Sequence, residues 1–214
     1  MKESVASHDR RWVVALILLT FTTGVVDAAS VLGLGRVFTG NMTGNLLFLG
    51  FSLARAQDVS IVASVLAVGG FIFGAGGGSR IARAPDGSRW GFGVELVLLI
   101  CAFALAASGW RTPLRDEALL VLLAAALGIQ GAVARDVIGK VSTVVLTSTL
   151  IAATADLVSE HTTSTTVQRV AAIGAMLTGA IVGALLLRGG LCWPIGAGAA
   201  LVSLALALTW RAAR

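Results

Sequence analysis

The chain has 214 residues, 57% of them hydrophobic and only 13% charged, with a mean hydropathy of +0.91. Such a composition reads as a polytopic membrane protein with no stretch long enough for a separate soluble domain. The formal net charge of +5 sits in short arginine clusters between apolar runs, the pattern of positive-inside loops, so nucleic acid is not an expected partner.

Lys2, Arg10 and Arg11 mark residues 1–11 as a polar tail, placed in the cytoplasm by the positive-inside rule. Trp12 opens an apolar run to about Leu34, too long for a cleavable signal, and this first span carries Asp27 and Ser30 in its second half. An acid at that depth is costly, so Asp27 is expected to face the bundle interior, as a coupling site or as half of a buried structural pair. A turn at Gly33, Gly35 and Arg36 leads into Val37–Asn45, V-F-T-G-N-M-T-G-N. Its polar groups must pack against protein or line a wet cavity, because an unsatisfied polar group in hydrocarbon costs several kcal/mol. Read as helix, the segment puts Gly40 and Gly44 on one packing face, with Asn41 and Asn45 beside it and Thr39 and Thr43 nearby. Amide-glued helix packing and a solute or ion pathway are both open to it.

The next span, about Val59 to Gly78, has small residues at Gly70 and Gly74 and ends in a glycine run that lacks the phosphate-loop pattern. Arg80, Arg83 and Arg89 form the most basic loop. Trp90 and Trp110 bracket a third span, with Glu95 near its start expected to reach the surface. Further spans are expected at about Ala118 to Ala134, Val170 to Leu187 with Gly179 and Gly183, and Trp193 to Trp210. Between them lies a second hydroxyl-rich segment, Val141 to Thr149, running on to Val158 and carrying Thr143 and Thr147. All five tryptophans fall at span ends, as in an interfacial aromatic belt. Cys101 and Cys192 read as small buried core residues, and His161 as a loop residue; no metal site, disulfide or cofactor is expected.

The halves match without a gap from Gly24 to Gly50 at a spacing of 104, pairing Gly24 with Gly128, Arg36 with Lys140, Thr39 with Thr143 and Thr43 with Thr147. Further on, Gly70 and Gly74 are paired with Gly179 and Gly183. This suggests one membrane domain, 12–210, made of repeats 12–110 and 118–210. If 37–54 and 141–158 cross, the topology has eight spans and nine cytoplasmic Lys and Arg against seven outside. If they dip in and return, it has six spans and a stronger bias of eleven against five. The expected fold is therefore all-α, with six spanning helices, two short polar re-entrant segments and an inverted relation between the halves; eight spans is the alternative.

The residues G-V-V-D-A-A-S from Gly24 to Ser30, V-F-T-G-N-M-T-G-N, and G-I-Q from Gly128 to Gln130 resemble the YoaK-like family of bacterial inner-membrane proteins, a family with a domain of unknown function. The resemblance implies a multi-pass protein of the bacterial inner membrane and no particular activity. The chain departs from the family pattern at Gly131 and at Thr147-Ser148, which weakens the second half of any shared site. The leading expectation is a small secondary transporter or exporter of an unidentified small solute, proton coupling through Asp27 being one form of it. Asp27, Ser30, Thr39, Asn41, Thr43 and Asn45 would line the path opposite Gln130, Thr143 and Thr147. The alternative is a non-transporting membrane subunit that docks another protein through its small-residue motifs. An enzyme is not expected, since H-E-x-x-H and G-x-S-x-G are absent. The expected surroundings are the lipid bilayer, and a homodimer is one assembly open to so small a transporter.

Overall fold

The computed structural model describes residues 2–55, 60–138, 146–159 and 164–210, with backbone alone at 2–9, 136–138 and 146. Regular structure among them is helical: α1 (Lys2–Gly33), α2 (Met42–Leu53), α3 (Ile61–Ala82), α4 (Gly87–Ala107), α5 (Pro113–Ile138), α6 (Leu146–Val158), α7 (Ser164–Leu186) and α8 (Cys192–Trp210). The first helix begins at Lys2, so it takes in the expected polar tail. Six of these helices offer apolar stretches of 19 to 26 residues. At 1.5 Å per residue that is about 29–39 Å, enough for a hydrocarbon core of about 30 Å. The remaining two, α2 with 12 residues and α6 with 13, reach only about 18–20 Å.

Helix direction shows that neither short helix carries the chain across. A Cβ on Gly33 would meet Leu191 and Leu187, and one on Gly198 would meet Val26 and Thr22, so α1 and α8 run in opposite directions. The Arg89 guanidinium lies 5.9 Å from the centre of the Trp210 ring, and Gly196 faces the Phe103 ring. Hence α4 and α8 are also opposed, and α1 and α4 run the same way. Only α2 and α3 separate α1 from α4; with α3 crossing, α2 does not. Between the opposed α4 and α8 lie α5, α6 and α7, so α6 does not cross either. The fold is thus all-helical with six spans and two short helices.

The tightest packing is glycine on backbone. In α3, Gly70, Gly74 and Gly78 lie on the backbone of Val121, Ala125 and Ile129, so α3 and α5 run parallel. In α7, Gly179 and Gly183 lie on the carbonyls of Phe21 and Val25, so α1 and α7 do the same. Small residues allow this close approach, the main source of cohesion between helices in lipid. The contacts recur at a fixed interval. Gly24 lies on Met176 and Ala180; Gly128, 104 residues later, lies on Phe71 and Ala75, each 105 residues earlier than its counterpart. Likewise Gly74 meets Ala125 as Gly179 meets Phe21. The glycine pairing is therefore Gly74 with Gly179 and Gly78 with Gly183, one helical turn from the pairing expected of the sequence. The buried residues Gly91, Phe92, Glu95, Leu99, Ala102 and Ala106 of α4 correspond, 103 residues on, to Pro194, Ile195, Gly198, Val202, Ala205 and Thr209 of α8.

Large apolar side chains point outward, Phe73 being 83% exposed and Trp110 72%, as expected of a surface solvated by lipid. Two residues differ from expectation. Cys101 is exposed, because it lies on the outer face of α4 between the buried Leu99 and Ala102. Glu95 does not reach the surface but is fully buried on the stripe of α4 that faces α5 and α8.

Candidate functional site

Residues 34–41 leave the helical path after α1 and fold back onto it. Such a segment lacks the hydrogen bonds a helix supplies to its own backbone, and at membrane depth it is tolerated only where other parts of the protein supply the partners. Asp27 supplies two of them. Its Oδ1 accepts from the Thr39 N–H at 2.8 Å, the Thr39 hydroxyl at 2.9 Å and the Gly40 N–H at 2.8 Å. The Ser30 hydroxyl donates to the Val37 carbonyl at 2.8 Å. Asn45 braces Phe38 on both sides: its Oδ1 accepts from the Phe38 N–H at 2.8 Å and its Nδ2 donates to the Phe38 carbonyl at 2.6 Å. The segment's backbone is thus held from two sides, by Asp27 and Ser30 of α1 and by Asn45 of α2.

Asn41 and Thr43 differ in role from Asn45. Asn41 is exposed and caps α2, accepting weakly from Gly44 N–H at 3.5 Å. Thr43, in the first turn of α2, is exposed too. Gly40 and Gly44 do not share a helix face, because Gly40 precedes α2 and only Gly44 is inside it. Each makes room for something else. Gly44 admits the Phe38 ring, which stacks on Phe48 with centroids 6.0 Å apart. A Cβ on Gly40 would stand 2.9 Å from Thr23 Cγ2, 3.2 Å from Leu127 Cδ1 and 3.3 Å from Asp27 Oδ2.

That position marks the polar centre of the bundle. Thr23 and Leu127, 104 residues apart, meet there as α1 crosses α5. Gln130, one turn along α5, reaches across with Nε2 to the Thr23 hydroxyl at 2.8 Å and the Leu19 carbonyl at 3.3 Å. At this centre two buried oxygens, Asp27 Oδ2 and Gln130 Oε1, have no hydrogen-bond partner among the described residues. Asp27, Ser30, Thr39, Asn45 and Gln130 are thus gathered at or beside the crossing, whereas Thr147 is exposed on α6 and Thr143 lies outside the described residues. Sequence reasoning missed Thr23, although it stands one turn before Asp27 on the same helix face. The second half has no copy of the acid, since the position 104 after Asp27 is Gly131. No group of three or more potential metal ligands occurs among the described residues.

Six apolar spans around a buried acid and a cross-braced, non-helical segment define a multi-pass membrane protein with an interior polar centre. The chain belongs to the family described as Protein of unknown function (DUF1275), which matches residues 15–209. It is 34% identical over 140 residues to the UPF0700 transmembrane protein YoaK of Bacillus subtilis (strain 168), a match that covers 63% of this chain and 62% of that protein. The matched region is therefore less than two thirds of the relative's length. No solved structure matches the chain.

Proposed function

We propose that this protein is a secondary transporter of a small solute, with Asp27 as the site that binds the coupling proton or monovalent cation. The observation that carries the reading is the divided environment of the Asp27 carboxyl. Three donors hold Oδ1 in place, while Oδ2 stands buried beside Gly40 at the α1/α5 crossing with no hydrogen-bond partner among the described residues. A carboxyl fixed by one oxygen keeps its geometry while the other gains and loses a cation. Intramembrane acids of this kind mark ion and proton pathways.

The recurrence of contacts at intervals of 103 to 105 residues, together with three spans per half, supports an inverted repeat with the site where the halves cross, the plan of many secondary transporters. The six-span topology leaves Lys2, Arg10, Arg11, Arg80, Arg83, Arg89, Arg135, Lys140, Arg169, Arg211 and Arg214 on one side, eleven of the 16 Lys and Arg. By the positive-inside rule that side is the cytoplasm of a bacterial inner membrane, and the N-terminus lies there. In a variant lacking Cys101 and Cys192, a membrane-impermeant thiol reagent added to intact cells should label Asn41→Cys and spare Arg83→Cys; the reverse pattern would invert the orientation.

The decisive assay is a solute screen in proteoliposomes containing a pH-sensitive dye. Wild type should move protons with one solute class, and Asp27→Asn, which keeps the Oδ1 acceptor, should insert normally and abolish that coupling. Unchanged coupled flux in Asp27→Asn would sink the reading. A second reading, a non-transporting subunit, draws support from the consumption of Asn45, Ser30 and Asp27 Oδ1 in bracing backbone. It predicts a stoichiometric membrane partner on mild purification; a clean homo-oligomer, such as a homodimer, would count against it.

A further inference from the structure

Glu95 has no role in the site described so far. Both its carboxyl oxygens are buried and have no hydrogen-bond partner among the described residues. The buried side chains of the described residues include two acids, Asp27 and Glu95, and no Lys, Arg or His. An unpaired carboxylate in such surroundings costs several kcal/mol, a cost that a bound proton removes.

Two independent relations set Glu95 level with Gln130. Along the opposed pair α4 and α5, Gly91 lies against Val133, and further on the Arg115 guanidinium donates to the Ala106 carbonyl at 2.9 Å. Glu95, one turn after Gly91, therefore stands about one turn before Val133. Separately, Glu95 corresponds to Gly198, whose neighbours are Val26 and Thr22; the residues 104 later are Gln130 and Ala126. Gln130 has its Nε2 engaged, and its Oε1 acceptor has no donor among the described residues. A protonated carboxyl offers the missing donor.

Height in the bundle adds a second point. Gln130 is bonded at Leu19, two turns before Asp27 on α1, so the two acids lie on opposite sides of the crossing at Thr23, separated along the axis by about 12 Å. The geometry assigns Glu95 as a second proton-binding site, on the side where α1 begins, with Gln130 as its positioning residue. This rests on the reading of Asp27 as the coupling site. Loading forms an O–H bond between a proton from that aqueous side and a Glu95 carboxylate oxygen. Unloading breaks the bond and passes the proton to water or to the Asp27 carboxylate, with no oxidation or reduction. Among the described residues, the other charged groups on the helices packed around Glu95 include Asp27, Arg10 and Arg11 on α1, Arg89, which pairs with Asp86, and on α5 Arg135 and Arg115, the latter paired with Asp116; the buried residues of α3 and α8 are uncharged.

Infrared spectroscopy of the bilayer-reconstituted protein at neutral pH tests the assignment without any solute. Wild type should show the C=O stretch of a buried carboxylic acid, lost in Glu95→Gln and in Glu95→Met and kept in Asp27→Asn. A wild-type spectrum without that band, or a band that survives both Glu95 variants, would overturn it. So would failure of both neutral variants to insert, since a residue that rests in the neutral state tolerates a neutral replacement. Absence of any coupled flux in wild type would remove the transport reading and leave the band in place, so the two failures are distinguishable.

Discussion

Asp27 and Thr39 meet twice: one carboxylate oxygen accepts both the backbone N–H of Thr39, at 2.8 Å, and its hydroxyl, at 2.9 Å. The two contacts are separable by mutation. Thr39→Val keeps the shape and the N–H bond but removes the hydroxyl bond, and should lower stability by about 1.5–3 kcal/mol, the range for a bond to a charged group. Asp27→Leu also strips the partners from two buried N–H groups and should cost more. Unfolding in mixed detergent, read by helical circular dichroism, ranks the variants. Equal stability of Thr39→Val and wild type would show that the hydroxyl contact is not formed.

The Asn45 brace on Phe38 should behave as a pair of bonds. Asn45→Gln keeps an acceptor for the Phe38 N–H and a donor for its carbonyl on a longer side chain, while Asn45→Leu loses both. Losses of about 1–3 kcal/mol for each orphaned group are expected, so the leucine variant should be the less stable. Protease accessibility of the segment 34–41 should rise in the same order.

Two glycines of α3 on different faces should respond in opposite directions. Gly69 has open space where a Cβ would stand, whereas a Cβ on Gly74 would collide with the Ala125 carbonyl. Gly69→Ala should be neutral or stabilising by up to about 1 kcal/mol through helix propensity. Gly74→Ala should destabilise by about 1–3 kcal/mol through overpacking. The same loss is expected of Gly179→Ala, whose Cβ meets the Phe21 carbonyl. Thermal unfolding of the three variants side by side decides it.

At the C-terminal end of α6, the Thr166 hydroxyl, followed by the Arg169 guanidinium, holds the Asp156 carboxyl below its ordinary value of 3.8. The bonds are 2.7 Å and 2.5 Å, both to Oδ2. A depressed folded-state value stabilises the fold above the unfolded value, and that contribution fades as pH falls through the folded one. The tie between α6 and α7 should therefore loosen only below about pH 3.8. Asp156→Asn should flatten that part of the stability profile; an unchanged acid limb would refute the assignment.

Much of the architecture was legible because lipid imposes a simple rule: long apolar runs cross, and an acid within one faces inward. That rule located the spans and placed Asp27 inside. Charge counting alone favoured six spans over eight, and the opposed directions of α4 and α8 account for that preference. Glu95 was missed because lipid removes the contrast between helix faces. Both sides of α4 are apolar, so its stripe at Phe92, Glu95, Leu99 and Ala102 does not stand out. The glycine register slipped by one turn for a related reason: Gly70, Gly74 and Gly78 repeat every four residues, so the alignment with Gly179 and Gly183 fits equally well one turn away. The role of Asn45 was hidden because it depends on a backbone path that no residue pattern specifies.

The exchange of partners between the halves has a consequence for biosynthesis. Helix α1 seats on α7, and α3 seats on α5, so both emerge from the ribosome before their main neighbours. The 158 residues between Phe21 and Gly179 take on the order of 10–30 s to synthesise at ~5–20 residues per second. Through that interval α1 presents Thr20, Thr22, Thr23, Asp27 and Ser30, all buried in the finished protein, to lipid or to the insertion machinery. Four of the five shield themselves: each hydroxyl bonds a carbonyl of its own helix, three or four residues back. Asp27 has no such refuge until residues 37–40 fold back over it, which makes closure of that short segment the step that lets α1 wait in the membrane for the rest of the chain.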